Sequence, residues 1–350
     1  MGAMGSRFTG DAGRSGGLVP DASAGSPTGS DLRPSERTSV SNPTTDLGGA
    51  PLLSPDPTQP IGASRPDPGP PGAGVQAVQQ PGSGLGLIIS AVVAALVLIL
   101  GFYAAGDSNG SKLPIAQTTK PFFWVMAAVA VVTAIGGAIY ADRIAAQAAA
   151  AVGRERPDGS LPTAWTVPAV ATVAAILLVA TYHNATMIVA GPLIAFLGNA
   201  GALFARDLLD DAGDSTQRAA TTIHTLVIHA VAFLALGAVY LNKMGTPVLA
   251  ILVGLIGGLL TLETLERGTA SREIRLLYAA LAGWAIAEAA LGLNWWQTHG
   301  WTGGAILLVC FYLASGVLLA RTQRSVLRTR DLVEFGLVSL AAFVILAVTA

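Results

Sequence analysis

From Leu85 to the end of the 350-residue chain, apolar stretches of about twenty residues follow one another, separated by short polar breaks. That repeated length is the strongest constraint in the sequence. A helix rising about 1.5 Å per residue needs roughly twenty apolar residues to cross a hydrocarbon core of about 30 Å. Within lipid every backbone N–H and C=O must be bonded inside its own segment, so the stretches predict α-helices and no open sheet. They lie at about 85–105, 121–141, 165–182, 185–205, 221–240, 247–263, 276–293, 302–320 and 332–349. This predicts an all-α, polytopic membrane bundle of about nine transmembrane helices occupying residues 85–350. The least distinct break is Tyr182-His183-Asn184, whose polarity, with the length from Trp165 to Arg206, favours two helices over one interrupted segment. Composition agrees, because 52% hydrophobic and only 12% charged side chains leave too little polar surface for a water-soluble globule. The first stretch also exceeds the roughly 7–15 apolar residues of a signal-peptide core and is expected to remain as a span.

Residues 1–84 are of a different kind. They hold 13 of the 20 prolines and 16 of the 41 glycines, with Phe8 as the single aromatic. A segment of that composition buries too little apolar area to offset its chain entropy, which predicts a disordered Pro/Gly/Ser-rich tail.

Charge excludes some partners and orients the chain. A formal net charge of −1 offers no basic face for phosphate, so no nucleic-acid partner is expected; the bilayer itself is the expected partner. The breaks after the second, fourth, sixth and eighth stretches carry twelve arginines: Arg143, Arg154 and Arg156; Arg206 and Arg218; Arg267, Arg272 and Arg275; Arg321, Arg324, Arg328 and Arg330. The alternate breaks carry only Lys112, Lys120 and Lys243. By the positive-inside rule this places the chain in the cell membrane with a cytoplasmic N-terminus and an external C-terminus. Trp295, Trp296 and Trp301 then fall on the external side, where indoles anchor in the headgroup layer.

Polar residues within the spans are the candidate functional groups, because charge is costly at bilayer depth. Glu288, with Trp284 at i−4 and Gly292 at i+4, is expected to face the bundle interior and to donate a hydrogen bond between helices. His229 lies in mid-span. His224 is five residues away, about 140° around the helix, so the two cannot share a ligand, and no metal site is expected. Asn199 belongs to a small-residue stripe with Gly191, Ala195 and Ala202 that reads as a close helix contact with one interhelical hydrogen bond. Glu288, His229 and Asn199 are the residues available for a substrate or proton pathway. Gly254 and Gly258 form a small-xxx-small pair, and Glu263 and Glu266 are placed to pair with Arg267 or Arg272. Asp207, Asp210, Asp211 and Asp214 lack the alternation of a calcium loop. The lone Cys310 permits neither an internal disulfide nor a thiolate cluster. No catalytic motif and no cofactor motif is present, so an enzyme is not the expected class.

The run Glu288-Ala289-Ala290-Leu291-Gly292-Leu293-Asn294-Trp295-Trp296, followed by Gly303-Gly304-Ala305-Ile306-Leu307-Leu308 and Phe311-Tyr312, resembles an uncharacterised family of bacterial multi-pass membrane proteins. The resemblance spans about forty residues of the seventh and eighth stretches and implies a bacterial membrane protein of unknown role, with no site residue to carry over. Two functions fit the residues. The leading one is a small-solute or ion permease, suggested by the buried polar groups and by a weak rhythm of asparagines at Asn184, Asn242 and Asn294. The other is a non-catalytic scaffold whose tail recruits a cytoplasmic protein. Self-association is compatible with either.

Overall fold

A computed structural model describes residues 81–105, 121–151, 162–182, 184–211, 217–242, 244–266, 268, 270–296, 300–323 and 329–349. The expected tail at 1–84 lies almost wholly outside the described residues, as do His183, Lys243, Arg267 and Asp214. Among the described residues there are nine helices and no strand: α1 (Pro81–Ala105), α2 (Pro121–Ala151), α3 (Thr166–Tyr182), α4 (Ala185–Asp211), α5 (Gln217–Leu241), α6 (Thr246–Leu265), α7 (Arg272–Trp295), α8 (Gly300–Gln323) and α9 (Thr329–Thr349). The chain is an all-helical, polytopic membrane bundle, and each helix falls on one of the nine stretches read from the sequence. Eight are long and apolar enough to cross a membrane.

The exception is α3. At 17 residues it reaches only about 25 Å, and it is buried almost throughout. It forms the centre of the bundle, in contact with α1, α2, α4, α5 and α6. Because other helices cover it, α3 need not match the full thickness of the lipid. Two apolar clusters meet on it. One joins α1, α2, α3 and α4 through Val93, Val97, Phe123, Ile176 and Val179. The other joins α3 to α5, α6, α7 and α8 through Leu178, Leu236, Leu260, Ile286 and Phe311. Among the described helices, α9 packs on α8 alone.

Local chemistry sets the element ends. Asn184 accepts a hydrogen bond from the Met187 N–H through its side-chain oxygen at 3.0 Å, capping α4 and separating it from α3. Proline opens α1 and α2 and stands at the start of α6, where a missing N–H costs nothing. Pro192 lies in the third turn of α4, yet the helix continues through it. The asparagine rhythm serves different local roles. Asn242 Nδ2 donates to Thr181 Oγ1 on α3 at 2.9 Å, and Asn294 Nδ2 donates to Thr246 Oγ1 on α6 at 2.6 Å.

Helices α6 and α7 pack closely, and glycine makes it possible. A Cβ placed on Gly283 would sit 2.5 Å from the Gly254 carbonyl oxygen, and one on Gly258 would sit 3.2 Å from the Ala279 carbonyl. The Gly254/Gly258 pair is therefore a packing motif, as the sequence indicates. Its counterpart is a second small-residue run on α7, Ala279, Gly283 and Ala287.

Candidate functional site

Among the described residues, a cluster of buried charge forms where α2, α4, α5 and α6 come together. Asn199 and Arg206 are seven residues apart on α4, close to two full turns, and so share one face. That face meets α3. Arg206 is 12% exposed and donates from Nη1 to Glu263 Oε1 on α6 at 2.9 Å, while its Nε lies 3.2 Å from Asp142 Oδ1 on α2. The same Nη1 reaches Thr163 Oγ1 at 3.4 Å, in the turn before α3. Glu263, 4% exposed, also accepts from Thr166 Oγ1 at 3.4 Å. His224 of α5 places Nε2 3.8 Å from Glu263 Oε1. One guanidinium and two carboxylates thus bind α2, α3, α4 and α6 together, with an imidazole from α5 alongside. Beside them a cavity of about 10 Å³ is lined by Asp142, Arg206, Asp207 and Asp210. That volume holds a single water.

The sequence paired Glu263 and Glu266 with Arg267 or Arg272; Arg267 lies outside the described residues, and the structure gives each glutamate another arginine. Glu263 pairs with Arg206, 57 residues away, and Glu266 pairs with Arg275, whose Nη1 donates to its Oε2 at 3.0 Å and to its carbonyl at 2.8 Å. Two of the twelve orienting arginines, Arg206 and Arg275, are therefore drawn into buried ion pairs. The signal that could have found the network was the position of Arg206 in register with the Asn199 stripe.

The three pathway candidates are not brought together. Asn199 is fully buried; its Nδ2 donates to Thr172 Oγ1 on α3 at 3.0 Å and to the Ala195 carbonyl at 2.8 Å. This is the helix contact and single interhelical bond read from its stripe. His229 sits on the α8 side of α5, edge-on to Phe311 and Tyr312 with ring centroids 5.3 and 5.9 Å away. Its Nδ1 lies 2.8 Å from the Thr225 carbonyl, and since a carbonyl only accepts, Nδ1 carries the proton. His224 and His229 face different helices, in keeping with their spacing.

Glu288 overturns its expectation. It is exposed on the outer face of α7 and, among the described residues, makes no interhelical hydrogen bond. Its partner is Trp284 of the same helix, itself 65% exposed, whose Nε1 donates to Glu288 Oε1 at 2.9 Å. The reason is geometric: the inner face of α7 is occupied by Ala279, Ala282, Gly283, Ile286 and Ala290, and Glu288 falls on the opposite side. Trp301 also departs from a purely interfacial role. It packs on Phe233 and donates to the Tyr182 hydroxyl at 3.0 Å, whereas Trp295 and Trp296 are exposed.

Among the described residues no group of three or more His, Cys, Asp or Glu side chains is placed to hold a metal ion. The family model described as a protein of unknown function, DUF5656, matches residues 109–349. The chain belongs to this family. The match takes in α2 to α9, hence every member of the Arg206 network as well as Glu288, and it begins after α1. No curated protein and no solved structure matches the chain.

Proposed function

We propose that this DUF5656 protein is a non-catalytic membrane scaffold: a rigid helical anchor whose N-terminal tail presents a binding segment to a cytoplasmic partner. The observation that carries the reading is the dispersal of the polar groups that a permease would align. Glu288 faces outward, His229 is wedged against aromatic rings, and Asn199 is closed between α3 and α4 by its bond to Thr172. Proteoliposomes containing the full chain are expected to carry protons, sodium and potassium at the rate of empty liposomes, and in-cell crosslinking is expected to recover a defined protein that is lost on deletion of residues 1–80. Protein-dependent flux that disappears in Arg206→Met would overturn the scaffold. It would favour the permease instead, for which the one supporting feature is the charged cluster beside its water-sized cavity.

The proposed orientation puts the N-terminus in the cytoplasm and the C-terminus outside, supported by twelve arginines against three lysines in alternate breaks. The alternation requires the short α3 to traverse as well. A reporter fused to the C-terminus is expected to be active only in its external form; cytoplasmic activity would mean that the helices cross an even number of times.

A further inference from the structure

The outer face of α7 carries a row of exposed side chains with one carboxyl among them. Ile274, Leu277, Leu281, Trp284 and Glu288 follow one another at spacings of three and four, and the series continues through Leu291 to Trp295. Alternating threes and fours over 22 residues is the heptad spacing of a left-handed helix–helix seam. All of these side chains are exposed except Leu291, which is intermediate. The seam lies away from the buried face of α7, and no described helix covers it. Beside it an open groove of about 390 Å³ runs between α6 and α7, floored by Gly254, Gly258 and Ala287 and walled by Trp284, with room for large side chains from a neighbouring helix.

Glu288 indicates what covers the seam. It stands seven residues before Trp295, about 10 Å inward from the tryptophan-bearing end. One of its oxygens accepts the Trp284 indole N–H; no bond from another helix reaches the carboxyl. In hydrocarbon a carboxyl with only one of its oxygens bonded is costly, so this group calls for a further partner at the same depth. In a parallel, in-register pair of helices each seam position meets its own copy. A carboxyl meets a carboxyl, and with a proton between them the two hydrogen-bond to each other, a self-complementary contact that no acyl chain offers. A single polar residue in an otherwise apolar seam also fixes register.

We infer that the protein forms a parallel homodimer along the outer face of α7, with Glu288 of each copy paired across the two-fold axis and Trp284 of each chain holding the carboxyl in place. The dimer goes beyond the scaffold reading and does not depend on it. The test uses the full chain in native membranes with Cys310 replaced by serine. Leu281→Cys is expected to give an oxidative disulfide dimer, and Leu340→Cys, more exposed but on α9, is expected to remain monomeric. Single-molecule counting of the otherwise unaltered chain in lipid nanodiscs gives the dimer constant independently. Glu288→Ala is expected to weaken it at least tenfold, whereas Glu288→Gln, whose amide can pair with its own copy, is expected to stay within about threefold. Absence of the Leu281→Cys dimer, crosslinking at Leu340→Cys to the same extent, or a dimer constant unmoved by Glu288→Ala would each overturn the inference and leave this face to lipid.

Discussion

Arg206→Met is expected to destabilise the bundle by about 3–5 kcal/mol, measured as thermal or denaturant unfolding of the detergent-solubilised chain. The substitution keeps the volume of the aliphatic stem but removes the one guanidinium between Asp142 and Glu263. Two carboxylates then remain close together in an environment where Glu263 is 4% exposed, and an uncompensated buried charge costs far more than the original pair contributed. The same argument predicts a partial rescue. Adding Glu263→Leu to Arg206→Met removes the buried Glu263 carboxylate and is expected to recover at least half of the loss, because replacing both partners of a buried pair with apolar groups is often close to neutral. If the single variant unfolds at the wild-type temperature, the network is screened by water and contributes nothing to the bundle. If the double variant is no better than the single one, the loss comes from packing rather than charge.

Gly283→Val is expected to cost about 3 kcal/mol, the upper part of the range for overpacking a close-fitted interior. Even its first carbon would lie 2.5 Å from the Gly254 carbonyl oxygen and 3.2 Å from Gly258 Cα, and these are backbone atoms that cannot rotate away. The two helices would have to separate along a contact that runs backbone to backbone. Gly136→Ala supplies the control, since no atom lies within 4 Å of a Cβ placed there. It is expected to leave the unfolding midpoint unchanged or slightly higher, because alanine is the better helix former. Equal effects from the two substitutions would show that glycine acts through backbone flexibility rather than close approach.

The architecture was legible because the membrane simplifies the code. Length and apolarity alone decide whether a segment can satisfy its backbone and cross a hydrocarbon layer, and the nine stretches became nine helices, mostly extended by a few residues at their polar ends. Motifs whose meaning is local or pairwise were legible too. Gly254 and Gly258 pack, Asn199 bonds to a neighbouring helix, Asn184 separates α3 from α4, and the five-residue spacing of His224 and His229 sends them to different faces.

What the sequence could not determine was which way a helix turns. A span surrounded by apolar residues on every side has almost no amphipathic signal, since lipid and protein interior are equally apolar, and so nothing in the text around Glu288 said that it faces outward rather than inward. The choice is made by packing: small residues on one side of α7 fit against the glycines of α6, and the larger side chains, Glu288 among them, are left on the other. The partner of Glu263 was hidden for a related reason. Neighbouring arginines in the sequence offered themselves, but the tertiary fold brought in Arg206 from 57 residues away, and only the assembled bundle could place α3 at the centre, shorter than the membrane and sheltered from it.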